Sequence, residues 1–321
     1  MDTADVLVEN FRPAVKHRLG IGPDTLRERN PRLVYASISG FGQTGPYAER
    51  GGVDQVIQGM SGIMSVTGPP GTGPWRVGIA ISDTAAGTFL TQGILAALLA
   101  RERTGRGQWV HTSVLEAAIN FLDFQATRWL TDGIVPQQAG NSHPSLGGVG
   151  TGTQRTADGY VNFSALGGWA ELCVAIGAPE LATDPRFGDP ADRHERAGEL
   201  LKILGHIFER RTTDEWVKHF VSLGMPAGPV LRVDEVFDDP QVRHLKLVST
   251  VDHEIDGAVS VLRHPVTMTD TPTSILRGPP APGADTVELL RGQGYAENEI
   301  AALIDSGAAA TVSTGTPWST I

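Results

Sequence analysis

The sequence predicts an α/β protein with a parallel sheet, and three features of its 321 residues favour this fold class. Short apolar strand signals alternate with helix signals in the first third of the chain, which is the pattern of parallel strands covered by helices. The hydrophobic share of 40% and the charged share of 19% are typical of a globular protein. The length exceeds one compact core and indicates two domains or one elaborate unit.

The first elements form a βαβ unit. The segment "DVLVEN" is a short apolar strand, "PDTLRERN" is a helix opened by Pro23, and "RLVYASIS" is a β-branched strand that ends at Gly40. Two strands joined through a helix pair in parallel, so this unit predicts the start of a parallel sheet.

Further alternation follows a stretch rich in Gly and Pro at residues 46–75, which contains a small helix candidate, "VDQVIQGMSGIMSV". Next come a predicted strand, "WRVGIAIS", and a predicted helix from about Thr84 to Arg101. A strand, "GQWVHTSV", and an amphipathic helix, "LEAAINFLDFQATRWL", complete this half.

The second half begins after residues 133–152, where Gly, Ser, Pro and Gln indicate a linker or mobile loop. A hairpin-like start at "RTADGYVNFSA" precedes predicted helices near 167–177, 192–210 and 213–224. The segment "GMPAGPVLRVDEVFDDPQV" reads as a turn, a strand and a short helix. A strand pair across Asp256–Gly257 and a terminal helical pair follow, and the tail after Gly307 is expected to be disordered.

Charge and composition exclude several classes of partner. A net charge of −10 argues against nucleic acid, because phosphate binding needs a positive field. No run of eighteen apolar residues and no signal peptide is found, so we expect no membrane span and a cytoplasmic location. The single cysteine, Cys173, rules out an internal disulfide and is expected to be a buried, inert thiol.

The segment "ASISGFGQTG" matches a dinucleotide-binding fingerprint through Gly40, Gly42 and Gly45. That fingerprint works only where a helix begins inside it, so that backbone amides meet the pyrophosphate. Here Pro46 and "YAERGG" follow, which is loop chemistry. We therefore interpret the match as coincidental and predict no dinucleotide site, although a glycine loop after a parallel strand is still a suitable place for a ligand.

Other familiar catalytic motifs are missing from the sequence. It contains no GxxxxGK[ST] loop and no GxSxG elbow, and its nine histidines show no spacing suited to zinc. His143 is expected to be a surface residue. No metal site is predicted.

Asp83 stands out because it is isolated between an apolar run and a long alanine-rich stretch, with no other acid before Glu102. One interpretation is structural, since Asp is a favoured residue at a helix N-cap. The other is catalytic, because a carboxylate can act as a covalent catalyst when an activated acyl group reaches it. The spacing alone leaves both open.

Several longer segments resemble the class III coenzyme A transferases of the CaiB–BaiF type, which include formyl-CoA transferase. They are "DVLVENFRPAVKHRLGIG", "SGFGQTGPYAERGGVDQVIQGMSG", "VGIAISDTAAG" and "GILAALLARERTGRGQWVHTSVLEAA", followed in the family's order by "RTADGYVNF", "GMPAGPV", "DEVFDDPQV" and "LRHPVTMTDTP". The resemblance runs from Asp5 to about Asp305. Its motifs are specific to the superfamily and not to one substrate.

The resemblance implies a Rossmann-like large domain with a parallel sheet, a smaller α/β domain, and an interlocked homodimer. The expected divisions are a large domain at 1–130, a linker at 131–152, a small domain at 153–247, a return linker with C-terminal helices at 248–306, and a tail at 307–321. Relatives begin several dozen residues earlier, so the resemblance also implies a shortened large domain.

By the same resemblance, Asp83 carries the covalent intermediate while CoA moves between an acyl-CoA and a small carboxylate, with no metal. Asn10, Phe11 and Arg18 are the implied CoA contacts; without the family, Phe11 reads as a hydrophobic staple and Arg18 as a solvated helix charge. In a substrate loop, the implied residues are Gly147, Gly148 and Gly150, although a plain linker would look identical.

Two alternatives stay open at this stage. Related racemases carry a histidine before the aspartate of the segment that reads "GGVDQV" here, whereas this chain has Val53, which disfavours an acyl-CoA racemase or epimerase. A truncated, non-catalytic chain is the other alternative, because the missing segment includes sheet core.

Overall fold

The computed structural model describes residues 3–143, 150–165, 167–253 and 255–311. The chain divides into two compact units, one up to Val230 and one from Leu231 onward. The first unit holds a parallel sheet covered by helices, so the predicted α/β class is confirmed.

The parallel sheet has the strand order β1 (Val6–Glu9), β2 (Val34–Ser39) and β3 (Trp109–Ser113). The central strand β2 is almost entirely buried, as expected where helices cover both faces of a sheet. Two helices, α1 (Pro13–Arg18) and α2 (Pro23–Arg29), connect β1 to β2, and each begins with a proline. The predicted βαβ unit is therefore confirmed, with one helix more than expected.

Between β2 and β3 lie three helices: α3 (Asp54–Met60), α4 (Ile63–Val66) and the long α5 (Ile81–Thr104). The predicted strand "WRVGIAIS" is wrong, since the described chain has no strand there and Ile81 already belongs to α5. The physical reason is a side chain. Gln58 of α3 accepts from the Val77 amide (2.9 Å) and donates to the Ile79 carbonyl (3.1 Å), which occupies groups that a neighbouring strand would use.

Helix α5 packs on β2, β3, α3 and α6 (Val114–Asn120). Among the described residues it is the one helix long and apolar enough to cross a membrane, a test that core helices of soluble proteins also pass. The helix predicted after β3 is divided in two, α6 and α7 (Phe124–Asp132), because Asp123 adopts a positive φ of 50° between them.

The rest of the first unit is a three-stranded antiparallel sheet with helices on it. Its strands are β4 (Thr151–Arg155), β5 (Tyr160–Ser164) and β6 (Ala227–Pro229). Its helices are α8 (Trp169–Ala175), α9 (Pro190–Glu195), α10 (Ala197–Phe208) and α11 (Thr213–Ser222), with a 3₁₀ turn at Pro179–Ala182. The predicted hairpin start and the helices near 167–177 and 213–224 are confirmed, whereas the single helix predicted near 192–210 is divided into α9 and α10 at Arg196.

An aromatic cluster forms the core of this part, in which each ring centre lies within 6.0 Å of at least two others; its members are Phe163, Phe208, Trp216 and Phe220. Cys173 is buried beside them, and burial raises the pKa of its thiol to about 11. It is therefore a buried thiol of low reactivity, as expected from the sequence.

The second unit contains α12 (Val233–Val236), α13 (Pro240–Leu245), the hairpin β7 (Val248–His253) with β8 (Gly257–Leu262), and the helical pair α14 (Thr286–Gly292) and α15 (Glu297–Asp305). Asp239 caps α13. The hairpin and the helical pair match the sequence. The domain boundaries drawn from the sequence stay predictions, and residues 312–321 of the predicted tail lie outside the described residues.

Candidate active site

A buried charge cluster lies at the carboxyl edge of the parallel sheet. The Lys16 ammonium on α1 is 3.0 Å from the Glu9 carboxylate at the end of β1, and both side chains are almost completely buried. The same ammonium donates to Ser37 (3.3 Å) and to Gln43, and it lies 5.1 Å from the ring centre of Trp109. Each buried charge therefore has its partners within the cluster.

This cluster holds the turn that carries two of the predicted CoA contacts. The second carboxylate oxygen of Glu9 accepts the Phe11 amide at 2.8 Å. Asn10 and Phe11 follow β1 directly, and both are exposed, as is Arg18 at the end of α1. All three follow β1 in the chain and are exposed, and their role as ligand contacts stays a prediction.

Sequence reasoning missed Lys16 and Glu9. One signal was available, because Lys16 follows Pro13 by three positions and both face inward from α1. The partners come from four separate segments, so their meeting is a long-range property of the fold.

The glycine-rich loop after β2 is closed on itself. A Cβ atom on Gly40 would lie 2.5 Å from the Gly52 Cα, so the two backbones touch and neither position has room for a side chain. Inside the loop, the Arg50 guanidinium covers the Tyr47 ring at 3.7 Å. No helix begins in residues 40–52, so the geometry that a dinucleotide fingerprint requires is missing, as the sequence predicted.

Asp83 lies in the first turn of α5 and is exposed. The N-cap residue of this helix is Ala80, and the structure shows no capping hydrogen bond from its side chain. The interpretation of Asp83 as the helix cap is therefore wrong, as is its expected position directly after a strand. Its carboxylate faces solvent near the positive end of a 24-residue helix, which favours a negative charge.

Asp54 of α3 satisfies the start of α5 instead. Its buried carboxylate accepts the Ser82 amide at 3.0 Å and also binds Arg76 and Gln58, each at 2.8 Å. Burial alone would raise the pKa of Asp54, but these three donors hold it below its usual range.

The neighbourhood acts on Asp83 in the opposite direction. Partial desolvation, and then the negative charge of Asp54, raise the pKa of Asp83 above its ordinary value. Because the Asp83 side chain is exposed, water screens the charge of Asp54. The start of α5 thus has a buried carboxylate, Asp54, that accepts three hydrogen bonds, and an exposed carboxylate, Asp83.

The predicted substrate loop is described only in part. Gly147 and Gly148 lie outside the described residues. Gly150 lies immediately before β4, and its carbonyl accepts the Ala165 amide at 2.6 Å. His143 stacks on Phe124 with ring centres 5.5 Å apart. Within the residues that the structure describes, no group of three or more His, Cys, Asp or Glu side chains is placed to hold a metal ion.

Comparison with known proteins shows which family this chain matches. Residues 1–286 match the family model "CoA-transferase family III". An acetyl-CoA:oxalate CoA-transferase of Acetobacter aceti is 41% identical over 239 residues, which are 74% of this chain and 61% of that protein. A succinyl-CoA:glutarate CoA-transferase of Homo sapiens is 33% identical over 289 residues, 89% of this chain and 66% of that protein.

Solved structures agree with the sequence relatives. A CAIB/BAIF family protein from Brucella suis superposes with a TM-score of 0.78 at 32% identity, covering 91% of this chain and 76% of that one. Rv3272 from Mycobacterium tuberculosis gives a TM-score of 0.74 at 32% identity, covering 89% and 77%. The chain spans about two thirds of the length of the curated relatives it matches.

Proposed function

The chain belongs to CoA-transferase family III, and we propose that it moves CoA between an acyl-CoA and a carboxylic acid through a covalent intermediate on Asp83. The observation that carries this proposal is the placement of Asp83. It is an exposed carboxylate in the first turn of α5, and the buried carboxylate of Asp54 binds the amide of the residue before it.

The proposed reaction proceeds in four steps. The Asp83 carboxylate attacks the thioester carbonyl, the carbon–sulfur bond breaks, and CoA thiolate leaves a mixed anhydride behind. The thiolate then attacks the aspartyl carbonyl, which releases the first carboxylate and leaves an aspartyl-CoA thioester. The acceptor carboxylate attacks this thioester and frees the thiolate again. The thiolate finally takes the new acyl group and regenerates Asp83.

These steps place two demands on the site. The anhydride needs a pocket from which water is excluded, and the tetrahedral oxyanions need hydrogen-bond donors. We propose that the loop with Gly147, Gly148 and Gly150 shields the intermediate, since glycines allow a backbone to approach a ligand closely.

CoA itself is the co-substrate in this proposal. We assign Phe11 to packing against the adenine of CoA and Arg18 to binding a phosphate of CoA. Asn10, on the same segment, is proposed as a further CoA contact. All three are exposed, and Asn10 and Phe11 lie at the carboxyl edge of a parallel sheet, where ligands of open α/β sheets bind. The acceptor is proposed to be a small carboxylate, as in the relatives named for oxalate and glutarate.

A homodimer belongs to the same proposal. Helix α5 exposes Leu95 and Leu99, at 61% and 63%, and α7 exposes Trp129 and Leu130. Apolar side chains exposed along two helices are typical of a surface that another chain covers. Sedimentation at micromolar concentration is expected to give twice the chain mass of 34.1 kDa, and a species of single-chain mass would contradict the dimer.

A cytoplasmic location completes the proposal. The sequence holds one cysteine, buried and without a disulfide partner, as is usual in a reducing compartment.

The racemase alternative receives no support from the geometry. Val53 is 63% exposed and immediately precedes α3, so the position where related racemases have histidine carries no proton acceptor here. An isotope experiment separates the alternatives. We expect acyl-CoA and a ¹³C-labelled small carboxylate to give labelled acyl-CoA, with no deuterium entering the α-carbon of the substrate in D₂O.

The outcomes of this experiment are distinct. Deuterium exchange without label transfer would contradict the proposal in favour of a racemase. If neither occurs, and calorimetry detects no CoA binding to the folded protein, the non-catalytic alternative replaces it.

A further inference from the structure

The buried carboxylate of Asp54 connects three segments that meet at the start of α5. It lies on the first turn of α3, it binds Arg76 in the segment before α5, and it accepts the amide of Ser82, the residue directly before Asp83. An aspartate at a helix start ordinarily caps its own helix. This one caps a different helix, from 28 positions earlier in the chain.

We propose that Asp54 and Arg76 form a positioning pair for Asp83, in which Asp54 anchors the first turn of α5 and the two charges together set the field at the Asp83 carboxylate. This inference rests on the proposed function of Asp83 and adds two residues to it. Neither side chain is assigned a contact with substrate.

The role of Asp54 in anchoring the first turn of α5 follows from its hydrogen bonds. The amides of a first helical turn have no partner within the helix, and here the Ser82 amide finds one in Asp54 at 3.0 Å. Gln58 braces the same carboxylate at 2.8 Å and also holds the backbone at Val77 and Ile79. The segment before α5 and the helix start are therefore tied to one carboxylate.

The effect of the pair on the electrostatic field at Asp83 follows from the small number of other charged groups on the elements around the start of α5. Asp54 is the one acid on α3, and Asp83 has no charged neighbour on α5 before Arg101. The other titratable groups on the elements that pack against α5 are Arg76 in the preceding segment, Tyr35 on β2, His111 on β3 and Glu116 on α6, whose carboxylate binds the Ser113 hydroxyl at 2.7 Å. Asp54 and Arg76 thus form an ionised pair that is hydrogen-bonded to the start of α5 through the Ser82 amide.

The charges of Asp54 and Arg76 affect the ionisation of Asp83, on which the proposed reaction depends. Asp83 must be ionised to attack a thioester, and the negative charge of Asp54 opposes that ionisation. Arg76 offsets part of the Asp54 charge through its 2.8 Å contact. Removing the Asp54 charge should therefore lower the pKa of Asp83, and removing the Arg76 charge should raise it.

The test uses ¹³C NMR titration of the protein labelled at aspartate carboxyl carbons, with the Asp83 signal assigned by its loss in Asp83→Asn. Asp54→Asn keeps an oxygen that can accept the Ser82 amide, and Arg76→Gln keeps a donor for Asp54. The matched controls, Asp214→Asn and Lys218→Gln, remove the same charges from an exposed pair on α11. We expect the Asp83 titration to move to lower pH in Asp54→Asn, to higher pH in Arg76→Gln, and to stay unchanged in both controls.

Other outcomes separate the inference from the proposed function. An Asp83 titration that is the same in Arg76→Gln, Asp54→Asn and wild type overturns the positioning pair. If Asp54→Asn fails to fold, Arg76→Gln still decides, because Arg76 is partly exposed. If the titration moves as expected while the acid limb of the transfer rate does not follow it, the pair stands and Asp83 is not the nucleophile.

Discussion

Replacing Asp83 by asparagine is expected to lower the kcat/KM of CoA transfer by at least about 10³-fold, because the covalent route loses its nucleophile. Asparagine has nearly the same shape but cannot form an anhydride. The effect should appear in kcat, with CoA binding preserved, because the proposed CoA contacts lie on the segment after β1 and not on α5.

Stability separates a catalytic from a structural role for this residue. Since Asp83 is exposed and makes no capping bond, the substitution should change the free energy of unfolding by no more than about 1 kcal/mol. Asp24→Asn is a matched control, because Asp24 is an exposed acid in the first turn of α2. An Asp83→Asn enzyme with activity within tenfold of wild type would contradict the assignment.

The second large effect concerns the buried Lys16. We expect Lys16→Met to lower the free energy of unfolding by about 3–5 kcal/mol, because it leaves the Glu9 carboxylate buried without its cation. The loss should extend to CoA binding, since Glu9 also accepts the Phe11 amide and so holds the predicted CoA turn. Denaturant unfolding and calorimetry with CoA measure the two effects.

A double substitution sharpens this prediction. Lys16→Met combined with Glu9→Gln removes both charges and keeps an acceptor for the Phe11 amide, so it should cost less than the sum of the two single changes. Lys218→Met is the control, because Lys218 pairs with Asp214 in solvent and its loss should cost about 1 kcal/mol or less. Strict additivity of the Glu9 and Lys16 changes would show that the pair is not coupled.

Much of the fold could be predicted from local sequence. Strands β1, β2 and β3 are short apolar runs, and Pro23 marks the start of α2. The exceptions arise where a distant side chain takes up backbone groups or where one residue adopts an unusual backbone conformation. The apolar alternation before α5 looks like a strand, but Gln58 of α3 takes up its backbone groups. Asp123 likewise divides a continuous apolar pattern through a single backbone conformation.

The candidate site shows the same division. The isolation of Asp83 could be recognised from the sequence, because it is a single acid between two apolar stretches. Its supposed capping role was wrong because α5 already begins at Ile81, and the Ser82 amide at this helix start is bound by Asp54, 28 positions earlier in the chain. The Glu9–Lys16 cluster was missed for a similar reason, as its partners Ser37, Gln43 and Trp109 converge only in the folded chain.

The covalent intermediate on Asp83 can be observed directly by mass spectrometry. Trypsin should release residues 77–101 as one peptide, bounded by Arg76 and Arg101, in which Asp83 is the only acid. After incubation with acyl-CoA and a quench with hydroxylamine, we predict a hydroxamate on Asp83 in this peptide, and none when acyl-CoA is omitted. An unmodified peptide from enzyme that is actively transferring CoA would contradict the account.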